Sequence, residues 1–259
     1  MLSQADYNLS DIVLEINIQA AKLAREEADK FSTPEKWRLV AGAIGPTPKT
    51  CSVASNVDDP AYWSTHFEEC KEAYKEQIKG LVLGGAHIIF IETIFDTLNA
   101  KAGIVAYLEF FEEEGLEKLP LFISGTLTDL AGRTLSGLTV EAFYASMMHA
   151  NPFCIGLNCA LGADIMLPFY QRLSTIASCY VHAYPNAGLP NEMGGYDETP
   201  CQFAQSMYSF IEAGINMIGG CCGTNHHFIK ELADTVKHAP IRKIPEQTHI
   251  TRLSGMEEF

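Results

Sequence analysis

Long apolar runs are missing from this chain. Nothing approaches the roughly 20 consecutive apolar residues that a bilayer span needs, and the first 30 residues are amphipathic and charged, unlike a secretory signal peptide. Positive charge is scarce as well. Lys and Arg number 18 against 32 Asp and Glu, a formal charge of -14, so no basic face is expected for nucleic acid or an anionic membrane to settle on. Eight cysteines in 259 residues are too few for a disulfide scaffold, and the C-x-x-C spacing of dithiol redox chemistry is absent. No G-x-G-x-x-G fingerprint follows the first strand-like run, which weakens a dinucleotide-binding reading. These absences point to a cytoplasmic protein with reduced thiols and a small polar substrate. At 47% hydrophobic the chain can bury a sizeable core, and its length suits one α/β domain.

Six apolar runs of strand length recur, at 38–45, 87–92, 119–125, 153–158, 180–184 and 216–220, with helical patterns between them. The runs are continuously apolar, as expected of parallel strands buried on both faces. Helices are predicted from a Ser10–Asp11 cap to about Lys30, and over 65–83, 97–114, 139–150, 165–178, 200–213 and 225–237. Parallel βα units with polar residues gathered at the C-terminal strand ends predict an α/β fold of the (β/α)8 TIM-barrel family. A doubly wound open sheet is the runner-up. Only six βα units are visible, and the chain opens on a helix, so the barrel lacks its first two strands. Either it is incomplete, or another chain supplies the strands, or the sequence is a fragment. Exposed parallel edges would then pair, so a homo-oligomer or a strand-supplying partner is expected. Residues 1–240 are assigned to the barrel domain and 241–259, with Pro245, mixed charges and no period, to a linker.

Chemistry concentrates at the predicted strand ends. In 215–224, Gly219 and Gly220 precede Cys221 and Cys222, and Gly223 follows. Glycine opens backbone torsions closed to other residues, which neighbouring side chains need if both are to aim at one ion. Cys159 also follows a strand-like run. Three sulfurs from two strand ends would bind zinc and leave its fourth position open, as in a catalytic site. Cys70, Cys154, Cys179 and Cys201 read as ordinary small residues. His182, His226 and His227 are further residues a zinc site would recruit, although the last two lie where exposed or capping histidines are common. Glu92, Asp96, Ser124, Thr126, Asn158 and Asn186 crowd other strand ends and together would hold a zwitterion beside a metal. Glu92 suits an ammonium group, and Ser124 to Thr126 suit a carboxylate. Asp96 reads equally as the N-cap of the helix beginning near Thr97. Three thiolates bring the charge at Zn²⁺ to about -1, which suits the metal to holding an activated thiolate. A substrate thiol is then the natural fourth ligand, and alkyl transfer to sulfur the natural reaction.

Asn158–Cys159, the Gly219-Gly-Cys-Cys-Gly223 element and Glu92 together resemble the homocysteine-binding domain of homocysteine S-methyltransferases. Stretches 40–47, 92–101, 123–126, 132–137, 156–162 and 185–190 are most similar to the cobalamin-dependent methionine synthase branch. Arg242–Lys243 and 252–257 are similar to the linker that leads there to a methyltetrahydrofolate-binding domain. The resemblance implies that Cys159, Cys221 and Cys222 are the zinc ligands and that Glu92 binds the homocysteine amino group. The zinc-held homocysteine thiolate would take a methyl group from methylcobalamin, carried in trans on another domain or chain, to give methionine. Two βα units that normally precede the helix at Asp11, the first with a glycine-and-aspartate motif, are not present. Two alternatives stand beside this reading: a cobalamin-independent enzyme using betaine or S-methylmethionine, and a non-catalytic zinc-binding fragment that needs a partner chain. The tail speaks against the first.

Overall fold

The computed structural model describes residues 2–246 and 251–259, apart from Ser55, Val57 and Pro60. Residues 247–250 of the expected linker lie outside the described residues. The chain forms two compact units, Met1–Phe122 and Ile123–Phe259.

The first unit contains α1 (Val13–Phe31), β1 (Ala41–Ile44), α2 (Phe67–Leu83), β2 (Ile88–Ile94) and α3 (Thr97–Glu113). β1 and β2 pair in parallel, Ala41 opposite Ile88 through Ile44 opposite Ile91. Ser10 and Asp11 do not cap α1: residues Ser10–Ile12 form a 3-10 turn, and Ile12 at the cap position offers no side-chain acceptor. The turn begins to satisfy the early amides itself, Val13 N–H bonding to the Ser10 carbonyl. β1 departs from two-sided burial, since Ala41 and Ala43 are exposed while Gly42 and Ile44 are buried. Its covered face meets α2 so closely that a Cβ on Gly42 would lie 3.0 Å from Leu81 Cβ. Ile44, Ile78, Ile89 and Ile104 form the interior. Lys71 and Lys75 of α2 pair with Glu109 of α3, and Lys75 also with Glu113.

The strand β3 (Leu121–Gly125), buried at every position, begins at the boundary between the units. The second unit continues with α4 (Val140–Met147), β4 (Cys154–Gly162), α5 (Ala163–Ile176), β5 (Tyr180–Asn186), α6 (Pro200–Glu212), β6 (Met217–Ile218) and α7 (His226–Thr235). All six predicted strands form, and β4–β5 and β5–β6 pair in parallel. The fold is α/β, the βα alternation of the TIM-barrel family, with six strands among the described residues. Local chemistry sets the helix starts: Thr139 caps α4, Asn225 caps α7, and Thr199 forms a capping box with Gln202 ahead of Pro200 in α6. Fully buried Tyr170, Phe143, Phe203 and Phe210 fill the core. The Tyr170 hydroxyl donates to the Leu157 carbonyl of β4 and accepts the Tyr184 amide of β5 at 3.2 Å. It bridges the two strands just before their register shifts between Asn158 and Gly162.

The described part of the tail differs from an extended linker. Leu253 and Phe259 exchange two backbone hydrogen bonds of 2.8 Å. The resulting turn docks on α4, with Thr139 N–H donating to Met256 O at 2.9 Å and Ser254 Oγ to Ala142 O at 2.8 Å. Arg242 closes the C-terminal end of α5 by donating to the carbonyls of Ser174 and Ala177 at 2.7 and 2.8 Å, groups left over where the helix ends, and reaches on to the Cys179 carbonyl at 3.0 Å. No helix among the described residues is long and apolar enough to cross a membrane.

Candidate metal centre

β4 runs past Asn158 to Gly162, and at its irregular end Cys159 and Ala160 take left-handed torsions, φ 63° and 61°. Such torsions cost a non-glycine residue roughly 1–2 kcal/mol. They persist where the surroundings over-determine them, which marks functional sites more often than plain structure. Here the turn directs the Ala160 amide back to the Cys159 sulfur.

The second strand end holds the cysteine pair. Cys221 N–H donates to Pro185 O at 2.8 Å, Cys222 N–H to Asn186 Oδ1 at 3.1 Å, and Ala187 N–H to Cys222 O at 3.0 Å. Thr224 Oγ closes the turn on Cys221 O at 2.7 Å. The glycine frame works differently from the expectation. Among its three members only Gly223 uses a left-handed torsion, φ 82°. Gly220 is required by proximity, because a Cβ there would fall 2.4 Å from Thr224 Cγ2.

Cys159, Cys221 and Cys222 come together, their sulfurs all within 4.8 Å of one another. The Cys159–Cys222 separation is 3.6 Å and Cys221–Cys222 is 4.0 Å. Tetrahedral zinc with Zn–S bonds of about 2.3 Å requires sulfurs about 3.8 Å apart, so the two separations of 3.6 and 4.0 Å suit the ion. Its electrostatics also call for a cation. A hydrogen bond from Cys221 holds the Cys159 thiol well below its ordinary range, and the same contact pushes Cys221 up. Burial pushes Cys222 up. Three touching thiols cannot all ionise unless positive charge arrives.

Around the sulfurs, Asn158 Nδ2 donates to Cys221 Sγ at 3.7 Å, and the Asn158 carbonyl accepts Thr126 Oγ at 2.5 Å. Asn186 positions the Cys222 amide, as above. Ser124 is fully buried, and its hydroxyl has no hydrogen-bond partner, an arrangement that costs about 1–3 kcal/mol unless a ligand completes it. None of the three weighed histidines joins the cluster. His182 is fully buried on β5, with Nδ1 3.4 Å from Cys154 Sγ, and burial lowers its pKa to about 3. His226 and His227 are exposed where α7 begins.

In the first unit, Asp96 takes the capping role. Its carboxylate accepts the amides of Leu98 and Asn99 at 2.8 and 3.4 Å, and that of Ser52 at 3.0 Å. Glu92, half-buried on β2, lines a small cavity with Gly45, Pro46, Tyr74 and Asp96. Sequence reasoning missed Thr224 and Tyr170, whose roles rest on contacts that no local pattern announces.

Over residues 1–236 the sequence matches the family described as homocysteine S-methyltransferase. Solved structures of the homocysteine methyltransferase MmuM from Escherichia coli are similar. The apo form is 22% identical with a TM-score of 0.64, over 86% of this chain and 73% of that one. The oxidised form is 20% identical with a TM-score of 0.66, over 90% and 75%. The metallated form is 20% identical with a TM-score of 0.64, over 85% and 70%. At these identities the likeness is one of fold.

Proposed function

The chain belongs to the homocysteine S-methyltransferase family and is a methyltransferase, and from that premise we propose that it methylates the sulfur of homocysteine to give methionine. In this reading Cys159, Cys221 and Cys222 hold a zinc ion, and the donor is methylcobalamin presented by a separate domain or chain, itself remethylated from methyltetrahydrofolate elsewhere. The observation that carries it is the convergence of three sulfurs from two strand ends at separations suited to tetrahedral zinc. Bound there, zinc supplies a Lewis acid with a position left for the substrate thiol, lowering its pKa so that it ionises near neutral pH.

The remaining work falls to the chain's own groups. Glu92 is assigned the substrate ammonium, a charge-assisted hydrogen bond that orients the amino acid. Asp96, committed to the α3 cap, fixes the turn that follows Glu92. Ser124 offers its unpaired hydroxyl to the substrate carboxylate, with Thr126 holding the neighbouring Asn158 carbonyl. Asn158 and Asn186 keep Cys221 and Cys222 in place.

The test is methionine formation by the zinc-loaded chain from homocysteine and methylcobalamin, with betaine and S-methylmethionine run in parallel. Product from methylcobalamin alone is expected. Product from either small donor would overturn the donor assignment. A Cys222→Ala variant that retained stoichiometric zinc would overturn the ligand set.

A further inference from the structure

Cys51 and Cys70 lie outside the metal centre, and they touch. The Cys51 sulfur donates to the Cys70 sulfur at 3.4 Å. Both residues belong to the first unit and both are buried, Cys70 completely and Cys51 with 9% of its surface left exposed.

The backbone on each side of this contact is fixed. The Cys51 amide donates to Asn99 Oδ1 at 2.8 Å, Asn99 Nδ2 donates to Thr47 Oγ and Lys49 O at 3.0 and 2.9 Å, and the Ser52 amide reaches Asp96 Oδ2 at 3.0 Å. Cys70 stands in the first turn of α2, its amide donating to His66 O at 3.0 Å. The contact therefore joins the start of the β1–α2 connection to the helix that ends it. A hydrogen-bonded chain continues from the pair. Buried Thr65 donates its hydroxyl to Glu69 Oε2 at 2.8 Å, and its oxygen lies 3.6 Å from Cys70 Sγ. Because the Thr65 proton is committed to the carboxylate, Cys70 is the donor in the second contact. The order Cys51, Cys70, Thr65, Glu69 leads from two buried thiols to a side chain that is 48% exposed, a connected path along which a proton can leave.

We propose that Cys51 and Cys70 are an oxidation site, a thiol pair that hydrogen peroxide converts to a disulfide. The Cys51 sulfur gives up its proton and attacks one peroxide oxygen, the O–O bond breaks, and the first water leaves. The Cys70 sulfur then attacks Cys51 Sγ and the S–O bond breaks. The Cys70 proton departs along the Thr65–Glu69 chain, and the released hydroxide takes up a proton as the second water. Two thiols lose two electrons and two protons, and one peroxide becomes two waters. Contact between the sulfurs makes the second step effectively unimolecular, so the disulfide forms before Cys51 is oxidised further. Burial, and then the touching Cys70, push the Cys51 thiol up to about 12, which keeps the pair reduced until peroxide is in excess. The bond ties the turn at 47–52 to α2. Asp96 and Asn99, which hold that turn, line the same cavity as Glu92, so oxidation acts on the wall of that cavity. The proposal does not depend on the metal reading.

Trypsin cuts after Lys49 and Lys71, so both thiols and no other cysteine fall in the peptide 50–71. The whole chain is treated with excess hydrogen peroxide, quenched, unfolded, alkylated and digested, and that peptide is weighed. The expected product is about 2 Da lighter than the reduced peptide, takes no alkyl group, and is restored by dithiothreitol. Two alkylated thiols at a peroxide dose that oxidises exposed Cys201 would overturn the proposal. So would sulfinic acid at Cys51 without the lighter peptide. Cys70→Ser removes the second sulfur and should leave Cys51 as a sulfenic acid captured by dimedone; a Cys51 left unmodified in the folded variant would overturn the order of the steps. The wild-type peptide decides the proposal even where that variant fails to fold.

Discussion

Tyr170→Phe deletes one oxygen atom from the centre of the second unit, and its cost can be worked from the structure. The hydroxyl is the shared partner of the Leu157 carbonyl and the Tyr184 amide, and the residue is fully buried, so water cannot replace it. Burial pushes its pKa well above the ordinary tyrosine value, which keeps the donor proton in place. The apolar ring survives the substitution, and the loss is confined to two backbone groups that no longer meet the Tyr170 hydroxyl. At about 1–3 kcal/mol for each unsatisfied buried group, partly relieved by strand adjustment, the expected destabilisation is about 3 kcal/mol. For a chain of this size that lowers the melting temperature by roughly 6–12 °C. The damage should also reach the metal centre, because Leu157 immediately precedes Asn158 and Cys159. Thermal and urea unfolding of the two proteins at equal concentration measures the effect. A change below about 0.5 kcal/mol would refute the bridging argument.

Three other outcomes follow from the same coordinates. Asp96→Ala removes the α3 cap and the acceptor for the Ser52 amide; it should cost about 2–3 kcal/mol in urea unfolding, whereas Asp96→Asn, which keeps an acceptor, should retain most of that stability. Gly223→Ala forces a side chain into a left-handed torsion and against Tyr196, so it should lose at least about 1–2 kcal/mol and weaken metal binding in a chelator competition. His87 has its pKa lowered by burial and then by Arg25, and its Nδ1 accepts the Val40 amide at 2.9 Å. Its neutral form is the folded form. The unfolded chain therefore binds more protons as pH falls through the ordinary histidine value of 6.5, and stability should decline there. The difference between urea midpoints at pH 5 and pH 8 should shrink in His87→Gln, the part owed to buried His182 remaining.

The strands were legible because parallel strands read as unbroken apolar runs, and the helices because caps such as Thr139 and Asn225 and a proline at 200 mark their starts. The exceptions have physical causes. β1 exposes Ala41 and Ala43, small residues that look the same in sequence whether covered or not. β6 is only Met217–Ile218, because Gly219 and Gly220 leave the strand to make the cysteine turn. β4 overruns its expected end because Cys159 and Ala160 adopt torsions that nothing in their side chains signals. The three cysteines were legible from residue type and position. Their surroundings were not, since Tyr170 and Thr224 act through contacts set by tertiary structure. The docking of residues 251–259 on α4 was likewise hidden, because mixed charges without a period look alike in a linker and in a docked turn.

The central claim is that three cysteines hold a zinc ion whose remaining position takes the substrate sulfur. X-ray absorption at the zinc edge, with and without homocysteine, tests it most directly. The account predicts three sulfur neighbours at about 2.3 Å and one lighter atom in the protein alone, becoming four sulfurs when homocysteine is added. A sulfur count that stayed the same on adding homocysteine, or that was already four without it, would contradict the account.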